Sequence, residues 1–224
     1  MKNYRTLLFA LLVLFGVEAR AATWTEGHDY YLITPAQATS VPAGKVEVLE
    51  VFSYGCPACN KYQPTVQLLK KSLPANAQLA FLPAAFVPAE DWPMFQRAWF
   101  TAQALGIAER THQQMYDAVW QTGELATSDP LTNRLKSPQP PIEAAARLYA
   151  HWTGIKAEDF LATAHSFSVD TKIRAADAQI LAMQVPSTPC IVVAGRYRVN
   201  GESVRSPDAL IELVRYLVAK AGTH

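Results

Sequence analysis

Cysteine is scarce in this 224-residue chain: three residues, Cys56, Cys59 and Cys190. No second short-spaced pair exists, and the five histidines (28, 112, 151, 165 and 224) are scattered without metal-ligand spacing. A structural zinc site needs four ligands, usually as two such pairs, so no metal is expected. The histidines are read as surface or structural residues. Glycine numbers only ten, and no Gly-rich phosphate loop is present. Charge is sparse and balanced, with 17% charged residues and a formal net charge of +1. Such a chain has no strong field to attract nucleic acid or anionic membranes. Repeats and low-complexity tracts are missing too. The longest apolar run, Leu7 to Val17, is well short of the roughly 20 residues a membrane-spanning helix needs.

That run has a different meaning. Lys2 and Arg5 precede it, and Glu18-Ala19-Arg20-Ala21 follows it. A basic start, a short apolar stretch and an Ala-x-Ala ending describe a cleavable secretory signal over residues 1–21, cut after Ala21 or Ala22. Its removal leaves 17 Lys and Arg against 18 Asp and Glu, a formal charge of −1. The mature protein is then exported to a compartment where disulfides persist. About 200 residues, half of them hydrophobic, form one domain or one domain carrying an insertion. A core of that size needs no disulfide staples.

The hydrophobic pattern changes period along the chain. Residues 45–52 (KVEVLEVF) read as a strand, bounded by Pro42-Ala43-Gly44 and by Gly55. Ala77 to Phe86 reads as a second strand. From Ala89 to about Gln184 the period becomes helical, with Trp92, Phe95 and Trp99 on one core-facing side and Ala-rich segments at 143–150 and 175–182. Residues 137–141 (SPQPP) break this block between helices. Cys190 to Ala194, Gly195-Arg196 and Tyr197 to Val199 read as strand, turn and strand. Pro207 starts a final helix that runs to Val218. The order predicts an α/β sheet interrupted by a helical insertion.

The cysteine pair sits in VFSYGCPACN, residues 51–60. Pro57 suits the first helical position, where its missing N–H costs nothing. Cys56 then occupies the N-cap, with free backbone N–H groups and the positive end of the helix dipole aimed at its sulfur. Such a site favours the thiolate, which is the nucleophile. Cys59 lies on the same side of the first turn, is buried more deeply, and can close a bond to Cys56. A purely structural disulfide here would constrain little unfolded-chain entropy, because its loop holds only two residues. Redox chemistry is the reading the residues favour.

The segment VLEVFSYGCPACNKY, a proline ahead of a strand in Ser187-Thr188-Pro189-Cys190, and the interrupted α/β order resemble the DsbA-type thiol:disulfide oxidoreductases of the thioredoxin superfamily. The resemblance covers nearly all of the chain after the signal. It implies a thioredoxin-like domain over residues 22–88 and 169–224 and an all-helical insertion over 89–168. It implies a protein disulfide oxidoreductase of the periplasm, working as a monomer. The Cys56–Cys59 disulfide, itself the redox group with no other cofactor, is donated to reduced, unfolded exported proteins. A quinone-linked membrane oxidase of the DsbB type restores it. By the same resemblance, Cys56 is the exposed nucleophile and Cys59 its buried partner. Glu50 is an acidic residue beneath the disulfide that takes part in proton movement. Pro189 is a cis-proline facing the pair, Thr188 offers its backbone to an extended substrate, and Pro64 kinks the first helix.

Two features depart from the family pattern. Pro57-Ala58 stands between the cysteines where the best-known members have histidine at the second position. Ala58 offers the Cys56 thiolate no donor and no charge, which implies a less stabilised reduced form and a weaker oxidant. Cys190 is a third thiol, read as a small, buried, protonated residue that begins a core strand. A disulfide isomerase or reductase held reduced by a partner, and a non-enzymatic peptide-binding chaperone module, are the alternative functions. Isomerases of the superfamily usually carry an N-terminal dimerisation domain, whereas only about 30 residues separate the signal from the cysteine pair.

Overall fold

A computed structural model describes residues 23–222; the secretory signal expected at residues 1–21 lies outside them. Strand β1 (Tyr30–Leu32) precedes β2 (Val46–Phe52), and helix α1 (Pro57–Ser72) leads from β2 to β3 (Ala77–Pro83). Five helices follow: α2 (Trp92–Ala104), α3 (Ala108–Trp120), α4 (Ile142–Thr153), α5 (Ala157–Ala164) and α6 (Phe167–Ala182). The hairpin of β4 (Cys190–Val193) and β5 (Tyr197–Val199) and helix α7 (Pro207–Ala221) complete the chain. The sheet order is β1-β5-β4-β2-β3. Among the strands of the described residues, β2 and β3 alone pair in parallel, and α1 supplies the crossover that a parallel pair requires.

The alternating side chains of β2 divide the core in two. Val48 joins Ile191 and Val193 beneath Val66 and Leu69 of α1 and Leu213, Val214 and Leu217 of α7. Leu49 and Val51 join Val192 and the large cluster built by α2 to α6. With both faces covered, every residue of β2 except Val46 is buried. The interposed helices dock through aromatic residues. Trp92, Phe95 and Trp99, expected on a core face, are all buried. This is a thioredoxin-like α/β sheet with a helical insertion between β3 and β4.

Three local expectations change. The second strand stops at Pro83 rather than Phe86, since Ala84 N–H bonds back to Phe52 O (2.7 Å) and a 3₁₀ turn begins at Pro88. The break in the helical block starts at residue 121, well ahead of the Pro-rich stretch. There Asp129 Oδ1 accepts from Leu131 N, Thr132 N and Thr132 Oγ1, holding a turn that no helix can continue through. Strand β1 was not foreseen, because three residues paired only with β5 carry almost no period of their own. Of the histidines, His28, His151 and His165 are exposed. His112 is buried against Phe52, Phe81 and Trp99, with Nδ1 3.0 Å from the Tyr54 hydroxyl. Burial holds its pKa down at about 3, so it stays neutral.

Candidate active site

The buried strand β2 aims the chain at a sharp start of α1. Cys56 is its N-cap, in extended backbone conformation (φ −84°, ψ 114°), and Pro57 takes the first helical position. The N–H of Cys59 donates to Cys56 Sγ at 3.3 Å. Gly55 is required by contact rather than by dihedral angle. A Cβ there would lie 2.7 Å from Cδ1 and Nε1 of Trp92. From the other side, the Trp120 indole donates to Tyr54 O (2.8 Å) and pins the turn.

Thr188 and Pro189 come to the same place from the far end of the chain. The Thr188–Pro189 peptide bond is cis. The Cys56 thiol donates to Thr188 O at 3.4 Å, a contact between residues 132 apart in sequence. The Thr188 hydroxyl is buried with no hydrogen-bond partner among the described residues, and it is the donor at hand for a thiolate. Both cysteines of the pair, and Cys190, are free thiols in this structure.

These surroundings set the acidities. The Cys59 thiol is the largest influence on Cys56, followed among the stabilising groups by the Thr188 side chain and the backbone N–H groups of Cys59 and Ala58. Against the upward push of burial they hold Cys56 down at about 6. Burial pushes Cys59 far above the ordinary thiol range, and negative charge on Cys56 pushes it further. A low-pKa sulfur beside a strongly protonated one is an asymmetric dithiol, with a single nucleophile at neutral pH. Cys190 is raised to about 11 by burial.

The exposure of Cys56 corrects the expectation. It is only 4% exposed, against 0% for Cys59. The sulfur is drawn back between the helix terminus and the Thr188 backbone, while Pro57 and Ala58 form the exposed rim.

Glu50 lies on β2 between Phe81 of β3 and Ile191 of β4. It is fully buried, and neither carboxyl oxygen has a hydrogen-bond partner among the described residues. Burial, and then charge on Cys56, push its pKa up to about 8. Sequence reasoning did not find two further buried polar groups, on α1 and α3. Among the described residues, the Gln63 amide and the Tyr116 hydroxyl are also buried without hydrogen-bond partners. Glu50 acts electrostatically on Tyr116 and on Tyr62. Gln63 had one signal available, since it stands four residues after Cys59 and hence on the same face of α1. Tyr116 and Trp120 come from α3 and had none.

Fold and site together define a thioredoxin-like dithiol oxidoreductase. Comparison with known proteins makes the class specific. The chain is 30% identical to the thiol:disulfide interchange protein DsbA of Pseudomonas aeruginosa over 216 residues, 96% of this chain and 94% of that protein. It is 27% identical to that of Burkholderia cepacia over 97% and 95%. Among solved structures, a DsbA variant from Pseudomonas aeruginosa superposes with a TM-score of 0.76 at 29% identity, over 90% of this chain and all of that one. The oxidoreductase DsbA of Xylella fastidiosa gives 0.73 at 30%, over 88% and 96%. No protein-family model matches the chain. The chain belongs to the DsbA family of thiol:disulfide interchange proteins, and it is a thiol:disulfide oxidoreductase.

Proposed function

We propose that this protein is the periplasmic oxidase of exported proteins, delivered by the leader at residues 1–21 and acting through a mixed disulfide. A substrate thiolate attacks Cys56 Sγ of the Cys56–Cys59 disulfide. The S–S bond breaks and Cys59 leaves with the electron pair. A second substrate thiolate then attacks the substrate sulfur of the mixed disulfide and releases Cys56 as a thiolate. Two electrons pass from substrate to protein, and the two sulfurs serve as the whole redox group. Cys59 departs into a buried site that disfavours its charge, so it needs a proton. Glu50, itself favouring the protonated form below about pH 8 and coupled electrostatically to Cys56, supplies one. Thr188 and Pro189 present backbone to the extended substrate, Pro57 and Ala58 form the rim it approaches, and a quinone-linked membrane oxidase of the DsbB type takes the electrons away.

One observation carries this reading: Cys56 sits at the N-cap of α1 with donors converging on its sulfur. Stabilising the reduced thiolate makes the disulfide a good oxidant, because donating it leads to the favoured state. The test is the resting redox state in the native host, trapped by acid and thiol alkylation. The oxidase rests with Cys56 and Cys59 joined. A chain found mostly reduced in otherwise normal cells is instead the isomerase or reductase.

A further inference from the structure

Beside the Thr188–Pro189 loop lies a cavity of about 510 Å³, bounded by Tyr62 of α1, by β5 and by the 200–207 connection. It is an unusual neighbour for a site that handles unfolded chains, because its walls carry charge. Arg198, half-buried on β5, and Arg205, exposed before α7, both line it, and the one carboxylate among its lining residues is Glu202. None of the ion pairs among the described residues involves either arginine or Glu202. The Arg198 guanidinium lies 4.7 Å above the Tyr31 ring, a contact that fixes its position and leaves its charge uncancelled. Its field reaches the cavity wall, where it acts on the Cys190 thiol.

We infer that this cavity is a carboxylate-selecting subsite: it binds Asp or Glu side chains close to the reacting cysteine of a polypeptide substrate, through Arg198 and Arg205. The inference rests on the oxidase reading above, since it takes the substrate to be engaged at Cys56. The geometry supports it in two ways. Thr188 belongs both to the wall of the cavity and to the contact with Cys56, so a chain bonded to Cys56 lies beside the cavity that Arg198 and Arg205 line. Guanidinium forks match carboxylates with two parallel hydrogen bonds, and among the described residues neither fork makes a hydrogen bond or ion pair. Two cations against one anion leave the cavity net positive in a protein whose overall charge is close to zero. The selection therefore belongs to this cavity and not to the whole molecular field.

The test uses two-cysteine peptides that differ only within three residues of the first cysteine, which carry Glu, Gln or Lys. Their oxidation by the oxidised full-length protein is followed in single turnover, and their affinity for Cys56→Ser protein, which cannot form the mixed disulfide, is measured separately. Glu peptides are expected to react about three- to tenfold faster than Gln peptides at low salt, with Lys peptides slowest, and the gap is expected to close as salt rises. Arg198→Gln with Arg205→Gln should abolish the gap between Glu and Gln peptides. Arg198→Lys should keep part of it, and Glu202→Gln should widen it. Equal rates for Glu and Gln peptides with the wild type overturn the subsite and leave the oxidase reading standing. If no peptide is oxidised the oxidase reading falls, and the binding arm then decides the subsite alone: tighter binding of Glu peptides upholds it, and equal binding ends it.

Discussion

Glu50 shows best what single residues could and could not reveal. Its place six residues before Cys56, among apolar neighbours, was visible in the sequence. Its isolation was not, because β3 and β4 flank it with Phe81 and Ile191, and Tyr116, on which its charge acts, comes from α3. The same is true of Cys56, where spacing gave the N-cap and chain packing gave the low exposure. A fully buried carboxyl raised to about 8 makes a definite prediction. The folded chain holds a proton that the unfolded chain releases near pH 4.3, so ν for the native state exceeds ν for the unfolded state. Stability from this group is therefore complete below about pH 4 and is lost as pH rises toward and through 8. Glu50→Gln should match the wild type at pH 4 and exceed it by about 2–5 kcal/mol near pH 8.5, measured by urea denaturation of the reduced proteins. A difference that does not change with pH would mean that Glu50 is not held protonated.

Among the elements, those with strong periods were legible. The strand at β2, the β4–β5 hairpin and the helix starting at Pro207 stand where the pattern placed them, within the usual drift at their ends. What escaped was set by single tertiary contacts: the three residues of β1, the early end of β3, and the turn organised by Asp129. The β2–α1 junction is a further case, since Gly55 looked like a simple strand terminator. Its real constraint is Trp92, 37 residues later, which leaves no room for a Cβ. Gly55→Ala should force the indole or the turn to shift, at a cost of about 1–3 kcal/mol in chemical denaturation. Because the next residue is Cys56, the N-cap of α1, the same substitution should change the alkylation rate of Cys56. An Ala variant as stable and as reactive as the wild type would show that Trp92 yields freely.

At the scale of the whole molecule, the active site exists only because the helical block returns the chain to the sheet and sets Thr188 against Cys56. No spacing rule joins residues 132 apart, and the sequence suggested this meeting solely through its likeness to a family. Depression of the Cys56 pKa to about 6 is thus a property of the assembled fold. It carries a linkage of opposite sign to that of Glu50. The unfolded thiol ionises near pH 8.5, so the reduced native state gains stability from Cys56 as pH rises from about 6 to 8.5. That gain is about 1–3 kcal/mol after allowance for solvent screening, and it is lost as pH falls through 6. Guanidinium denaturation of Glu50→Gln protein, with and without Cys56→Ser, isolates it. The most direct measurement is the ultraviolet absorbance of thiolate in the reduced protein as a function of pH. Cys59 and Cys190 are both held protonated, so a single transition centred near pH 6 is expected, and it should vanish in Cys56→Ser. An absorbance that stays flat until above pH 8 would contradict the account, because the fold would then give Cys56 no advantage over a free cysteine.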